Sequence, residues 1–275
     1  MWRGFPLALA AALLLVAVGC DLAGLAGYGR FQEEFQQSHP MPPGGRLSLE
    51  SFNGRIEIRG WDRDSIDISG VRYASSPEAL ASLIIDVDAS GDLVRIRTRR
   101  QAARSWNSGV NYLIRVPRRT ELEHISTSNG SIEVAGVEGR ARLSTSNGAV
   151  TVDRLAGELE VETSNGPVRV TLGEAGLETP IRLRTSNGPI ELTLEKIGPA
   201  GAILRTSNGP ITLRLPPDAS ADIEATTSNG SISVDLDAQF QGRRTRHRLE
   251  GKIGAGGPLL RLATSNGPIS VRRRS

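Results

Sequence analysis

Thr-Ser-Asn-Gly occurs seven times in this chain, beginning at Thr127, Thr145, Thr163, Thr185, Thr206, Thr227 and Thr264, with offsets of 18, 18, 22, 21, 21 and 37 residues. A verbatim tetrapeptide at nearly constant spacing declares a repeat architecture in which one short unit recurs, with small insertions and one large one. Apolar residues flank the copies with a period of two. Leu143, Thr145 and Asn147 share one parity and are followed by Val150 and Val152; Leu183, Thr185 and Asn187 are followed by Ile190, Leu192 and Leu194. That period marks half-buried strands on both sides of each copy and turns the repeated Thr inward and the Ser outward. A degenerate eighth copy, Ser51-Phe52-Asn53-Gly54, lies between Leu49 and Ile56.

Asn-Gly between alternating strands ordinarily signals a two-residue β-hairpin. Proline argues against it here. Pro167, Pro189, Pro210 and Pro268 follow the glycine in four of the seven copies, at the position whose N–H would close the turn, and proline has no N–H. Proline also pushes the preceding glycine toward extended angles. Each copy therefore reads as an open corner between two sheets, and a second turn near Leu155, Ala156 and Gly157 completes the circuit.

The expected fold is all-β: a β-solenoid, or single-stranded β-helix, of about 20-residue coils with Asn-Gly corners. Stacking successive coils about 4.8 Å apart would place Asn53, Asn129, Asn147, Asn165, Asn187, Asn208, Asn229 and Asn266 in one amide ladder. In that scheme the ladder satisfies polar groups at a partly buried bend, and the glycines supply angles that a Cβ forbids. Removing Asn187 from a central coil is expected to cost about 1 to 3 kcal/mol, and removing Asn53 less.

The motifs Gly44-Gly45-Arg46-Leu47-Ser48-Leu49, Asn53-Gly54-Arg55-Ile56-Glu57-Ile58, Ile114-Arg115-Val116-Pro117 and Gly251-Lys252-Ile253-Gly254-Ala255-Gly256-Gly257-Pro258, together with the Asn-Gly corners, carry a resemblance over residues 45 to 272. They resemble the bacterial putative-adhesin family of β-strand-repeat proteins. The resemblance implies the β-solenoid and, by the family's name, adhesion; it implies no catalytic residues.

The first residues point to export. Arg3 precedes an apolar run from Leu7 to Val18, and Ala17-Val18-Gly19-Cys20 resembles a bacterial lipobox around the only cysteine in the chain. The run is too short for a bilayer span and reads as a lipoprotein signal peptide over 1–19, with lipid on Cys20. Cys20 is then consumed and no disulfide supports the fold. Asp21 resembles the signal that retains lipoproteins at the inner membrane, facing the periplasm, in organisms with two membranes; otherwise the expected location is the cell surface. Residues 20–45, rich in Gly and Pro, read as a flexible tether, with Phe31 and Phe35 offering an alternative role as a cap on the first coil.

The solenoid domain spans 46–275, with irregular N-terminal coils over 46–120 and regular coils over 121–275. In the irregular part Ser76-Pro77-Glu78 introduces a short helix through Leu83, and strands are expected at Ile84–Val87, Leu93–Arg97 and Tyr112–Val116. The longest spacing leaves an insertion over 237–258, expected to protrude. It carries Arg243, Arg244, Arg246, His247, Arg248 and Lys252, candidates for binding anions because guanidinium forks match phosphate and carboxylate. A solvated edge hairpin is the alternative reading. Arg272, Arg273 and Arg274 are expected to block strand pairing at an open edge. Parity places Glu160 beside Arg182 and Glu162 beside Arg184 on neighbouring rungs, pairs of small energetic weight.

Chemical readings are thin. His39, His124 and His247 are scattered without thiolate partners, so no metal or other cofactor is expected. Asp235 and Asp237 share a face, but two neighbours on one strand make a weak glycosidase pair. Phe240 is the only aromatic residue after 121, which disfavours sugar-stacking and base-stacking platforms. The net charge of +3 comes from 33 basic residues, nearly all Arg, against 30 acidic ones. The expectation is a non-enzymatic, lipid-anchored scaffold acting as an adhesin-like or envelope-organising surface. Expected partners are the membrane, through the lipid, and an anionic envelope glycan, a phospholipid or an envelope protein, but no nucleic acid. Alternatives are a polysaccharide-acting enzyme on the same scaffold, or a regulatory partner of an envelope stress system.

Overall fold

The computed structural model of the 275-residue chain describes residues 30–101, 107–175, 178–236 and 240–274. The N-terminal part contains β1 (Phe31–Pro40), β2 (Gly45–Glu50), β3 (Ile56–Trp61), β4 (Ser65–Ala74), α1 (Pro77–Ala81), β5 (Leu83–Ser90), β6 (Leu93–Arg100) and β7 (Gly109–Pro117). The central coils are β8 (Thr120–Asn129) with β9 (Ile132–Ala135), β10 (Ala141–Asn147) with β11 (Val150–Gly157), β12 (Leu159–Asn165) with β13 (Val168–Ala175), β14 (Ile181–Asn187) with β15 (Ile190–Leu194), and β16 (Ala202–Asn208) with β17 (Ile211–Leu215). The remainder comprises β18 (Ala221–Asn229), β19 (Ile232–Asp235), β20 (Phe240–Arg244), β21 (Arg248–Ile253), β22 (Leu259–Asn266) and β23 (Ile269–Arg273).

Two sheets face each other across one core, and most strand pairs are parallel. Sheet A has the order β1-β4-β7-β3-β9-β11-β13-β15-β17-β23-β19, and sheet B the order β20-β21-β18-β22-β16-β14-β12-β10-β8-β2-β6-β5. The chain crosses from sheet B to sheet A at each Asn-Gly copy, so the architecture is a β-solenoid. Period-two patterning becomes two inward columns. On sheet B the column includes Leu143, Val161, Leu183, Leu204 and Leu262; on sheet A it includes Val150, Val168, Ile190, Ile211 and Ile269, and each of these is fully buried. The repeated Thr side chains extend the sheet B column and are between 2% and 6% exposed. The repeated Ser side chains are exposed on the opposite face.

The corner is open, as proline demands. The backbone ladder runs through it without a turn: Gly148 N donates to Asn165 O, and Val150 N to Pro167 O. The residue after glycine contributes only its carbonyl, an acceptor that proline keeps. The same pattern recurs where Val168 N donates to Pro189 O, Ile190 N to Pro210 O and Ile211 N to Pro268 O. The second corner turns at Gly157, within the expected Leu155, Ala156 and Gly157, following a bulge in which Arg154 takes φ 51°.

Coil order departs from sequence order at both ends. The coil β22/β23, last in the chain, lies between β16/β17 and β18/β19. The coil β2/β3, first in the chain, lies between β6/β7 and β8/β9. Each skip is made by a proline-containing connector, Pro117–Thr120 at one end and Pro216–Ser220 at the other. The first is tied down by Thr120 Oγ1 donating to Pro117 O at 2.7 Å. Antiparallel strands close the stack: β4 and β1 on sheet A at the N-terminal end, β5 beside β6, and the hairpin β20/β21 on β18 at the other end.

Several expectations change accordingly. Residues 31–40 are an edge strand paired with β4 along its whole length, so the span 20–45 is not a tether throughout and the cap reading of Phe35 prevails. Phe35 lies opposite Gly70, with its ring edge-on to Tyr112 at 5.8 Å. Tyr112 is fully buried, its hydroxyl 2.7 Å from Thr98 Oγ1, and burial raises its pKa. The helix is Pro77–Ala81, capped by Ser76 Oγ accepting from Ala79 N, and Leu83 opens a strand instead of ending the helix. The insertion does not protrude, because β21 pairs with β18 and extends sheet B. Nor does the terminal arginine run sit on an edge: β23 is interior, and Arg274 pairs with Glu195 at 3.1 Å.

Candidate functional site

The structure brings all eight corner asparagines into one column. Asn129 Nδ2 donates to Asn53 Oδ1 at 2.8 Å, Asn147 to Asn129, Asn165 to Asn147 and Asn187 to Asn165 each at 2.9 Å. Asn208 donates to Asn187 and Asn266 to Asn208, both at 2.8 Å, and Asn229 donates to Asn266 at 2.9 Å. Every donor points toward the N-terminal end, where Asn53 Nδ2 reaches Ser108 O at 2.9 Å. A second ladder lies inside the corner: Thr145 Oγ1 donates to Gly130 O, Thr163 to Gly148, Thr185 to Gly166, Thr206 to Gly188, Thr264 to Gly209 and Thr227 to Gly267. This bond explains why Thr is kept at the buried position, where Val would fill the same space but leave the glycine carbonyl short of a donor. At the degenerate corner the pattern lapses, and Thr127 Oγ1 and Ser51 Oγ are buried without partners.

The glycines are required by proximity more than by angle. A Cβ on Gly148 would lie 2.0 Å from Gly130 O, and one on Gly209 2.1 Å from Gly188 O. Gly130, Gly166 and Gly267 in addition take φ of 156° to 158°, which residues with a Cβ rarely adopt. The amide ladder itself is exposed from Asn129 onward, which corrects the expectation of a partly buried bend. Asn187→Ala breaks two solvated hydrogen bonds and is expected to cost about 1 kcal/mol. Asn53, half-buried and bonded to both Asn129 and Ser108 O, should cost at least as much, reversing the order expected from sequence. Chemical denaturation of the two variants checks this; a silent Asn53→Ala would show that the column contributes nothing there.

The insertion residues fall on both faces of a hairpin. Arg243 lies opposite Glu250, and Lys252 opposite Asp222. Arg248 is paired with Glu250 at 3.2 Å. Carboxylates thus answer part of the cluster, while Arg244, Arg246 and His247 lie exposed toward the hairpin tip. That tip also caps the last corner, for His247 O accepts from Thr227 N and Arg246 O from Ile232 N. Cys20, Asp21 and Asp237 lie outside the described residues. Asp235 sits in register with Arg272 on the neighbouring strand. Among the described residues no three His, Cys, Asp or Glu side chains converge as metal ligands, and no helix is long and apolar enough to cross a membrane.

The outward faces carry charge in register. Glu160 and Arg182 are rung neighbours, as are Glu162 and Arg184, but Glu160 makes its short contact with Arg142, at 3.1 Å. Arg46 bridges Asp92 and Glu123, and Arg261 holds Glu224 at 2.9 Å. Arg46, Arg99 and Arg118 hold the carboxyls of Asp92, Asp86 and Asp62 below the usual range through direct hydrogen bonds. What reasoning from the sequence missed is the pair Arg184 and Arg205, rung neighbours on the sheet B face; the signal was their common place one residue before the repeated Thr.

The family profile Toastrack DUF4097 matches residues 88–272. No curated protein matches the chain. Among solved structures, a putative cell adhesion protein from Clostridium sporogenes aligns at 14% identity and TM-score 0.37, covering 88% of this chain and 100% of that one. A putative adhesin from Bacteroides fragilis aligns at 11% identity and TM-score 0.42, covering 88% and 97%. A putative lipid binding protein from Parabacteroides distasonis aligns at 11% identity and TM-score 0.34, covering 86% and 96%.

Proposed function

This chain belongs to the Toastrack DUF4097 family, and from that premise we propose that it is a non-enzymatic, adhesin-like or envelope-organising binding scaffold held outside the cytoplasm by lipid on Cys20. One observation carries the reading. Eight coils are locked in register by backbone, threonine and asparagine ladders, and the resulting outer faces repeat Ser, Thr, Arg and Glu at rung spacing. Such a surface has little use for turnover chemistry, which needs converging groups in a water-excluding site. It suits a partner that is itself extended or repetitive, because each rung adds a weak polar contact and the fixed backbone spares the ordering cost of binding.

Partner classes follow from charge: an anionic envelope glycan, phospholipid headgroups or an envelope protein with an acidic surface. The test is capture from envelope extract by the full chain purified in detergent, beside a variant with Arg243, Arg244, Arg246 and Arg248 changed to Ser. Capture of an anionic component by the wild type is expected. Loss in the variant would place the contact on the terminal hairpin, and retention would place it on the sheet faces. Absence of any captured component would overturn the binding reading, as would new reducing ends released from the extract's glycans.

A further inference from the structure

Several arginines on the outer face of sheet B are held by a carboxylate in a direct ion pair, whereas Arg184 and Arg205 in the centre are not, although Glu162 is the rung neighbour of Arg184. Arg184 and Arg205 occupy the same outward position on adjacent strands, both exposed, and among the described residues neither makes an ion pair or hydrogen bond. Guanidiniums stay charged at any physiological pH. Two of them side by side, about 4.8 Å apart at the backbone, repel one another. The rung beyond Arg205 places Ala263 beside it, and the rung on the other side places Glu162 in register with Arg184 without forming an ion pair. A depression of about 460 Å³ lies over these rungs, lined in part by Arg184, Arg205, Ser186, Ser207 and Ser265 and also by the acidic Glu162.

Three features define what would fill it. Two adjacent guanidinium forks call for an oxyanion with several acceptor oxygens. Ser186 and Ser207 present hydroxyls two residues along the same strands, on the same face, and the serine column continues past them on both sides through Ser146, Ser164, Ser265 and Ser228. This repetition runs along the stack axis, so it matches a chain lying lengthwise. The face has no aromatic ring for sugar stacking, since Phe240 on the terminal hairpin is the only aromatic residue after 121. Nor does it offer apolar side chains for insertion into a bilayer: among the described residues Leu259 is the only large hydrophobic classed as exposed, at 38%.

We infer that the Arg184–Arg205 pair is an anion site for a phosphoryl group of a linear phosphodiester polymer of the polyol type, laid along the serine column. The inference rests on the binding-surface reading and names its ligand class. Both arginines reach one phosphoryl group, and the serine hydroxyls meet the polymer's neighbouring oxygens.

The test uses the full chain in detergent and poly(glycerol phosphate) of about ten units as the probe, with phosphatidylglycerol vesicles as a second probe carrying the same phosphodiester. Wild type is expected to bind the polymer in a salt-sensitive manner and in preference to the vesicles. Arg184→Gln combined with Arg205→Gln should weaken polymer binding by about tenfold or more, the effect of removing charge-assisted hydrogen bonds. The combination Arg243→Gln, Arg244→Gln and Arg246→Gln should bind as wild type does. Because both central side chains are exposed, the double variant should melt no lower than wild type, separating lost binding from lost fold. Equal polymer binding by the double variant, loss confined to the hairpin variant, preference for vesicles, or no binding by wild type would each overturn the site. If the double variant still captures envelope material as wild type does, this site fails while the scaffold reading stands; if wild type captures nothing, that reading fails too.

Discussion

Gly188→Ala should destabilise the protein by about 3 kcal/mol or more, among the largest effects expected of any single methyl in this chain. The added Cβ would lie 2.2 Å from Gly166 O and 2.6 Å from the carbon of the same carbonyl. Relief requires two coils to part by roughly an ångström at a corner where they are pinned by Gly188 N donating to Asn208 O and Gly166 N to Asn187 O, and a close-packed interior does not give that locally. For a domain of this size the melting temperature should fall by about 6 to 12 °C. Gly91→Ala serves as the comparison: its Cβ meets nothing within 4 Å, and only the left-handed angle of φ 63° resists it, at about 1 kcal/mol. Denaturant titration of both variants decides. If Gly188→Ala proves as mild as Gly91→Ala, the rungs are not in contact at the corner.

Ending the chain after Pro258 should damage much more than the 17 residues removed. The lost coil, β22/β23, lies inside the stack, so its removal takes away the strand between β16 and β18 and the strand between β17 and β19. Leu204 and Leu213, both fully buried, lose the neighbours that cover them on that side. Repeat arrays derive stability from nearest-neighbour interfaces, and here two interfaces vanish at once. The expected result is rapid amide exchange and proteolytic cleavage throughout residues 216–258, with protection retained from β8 to β14. Within the full chain, Leu262→Ala should weaken the same interfaces by about 2 to 5 kcal/mol. Persistent protection of β18 in the shortened chain would mean that this coil docks on β16 without the intervening strand, and the interior role of the last coil would be lost.

Much of this was legible in the sequence because the repeat is so regular. Parity assigned Thr145 and Leu143 inward and Ser146 outward, proline after glycine excluded the hairpin, and the shared tetrapeptide set the register of β10, β12, β14 and β16. Coil order was not legible, for the same reason: identical corners cannot say which copy adjoins which. A fainter signal did exist. Pro167, Pro189, Pro210 and Pro268 are neighbours in space, whereas along the chain the copy ending in Ser231 interrupts them. The equal spacing of Val116-Pro117 before Asn129 and of Pro216-Pro217 before Asn229, which marks the two skipping connectors, was a second trace. The edge strand β1 escaped because its half-buried residues, Phe31, Phe35 and His39, recur every four positions, a spacing that hides a strand when alternate inward positions face solvent. The pair Arg184 and Arg205, with Glu162 in register with Arg184 but not paired to it, needed the register of neighbouring rungs before it could be seen.

The skipped coils at both ends also decide how such a protein can change its length. A unit appended at either terminus would have to reproduce a connector that bypasses a rung and then re-seat the cap. A unit duplicated between β8/β9 and β16/β17, where sequence order and spatial order agree, needs neither, and lengthens the displayed column by about 4.8 Å while leaving both ends as they are. Reach is therefore adjustable from the middle, with the termini acting as fixed fittings between which rungs are added or removed.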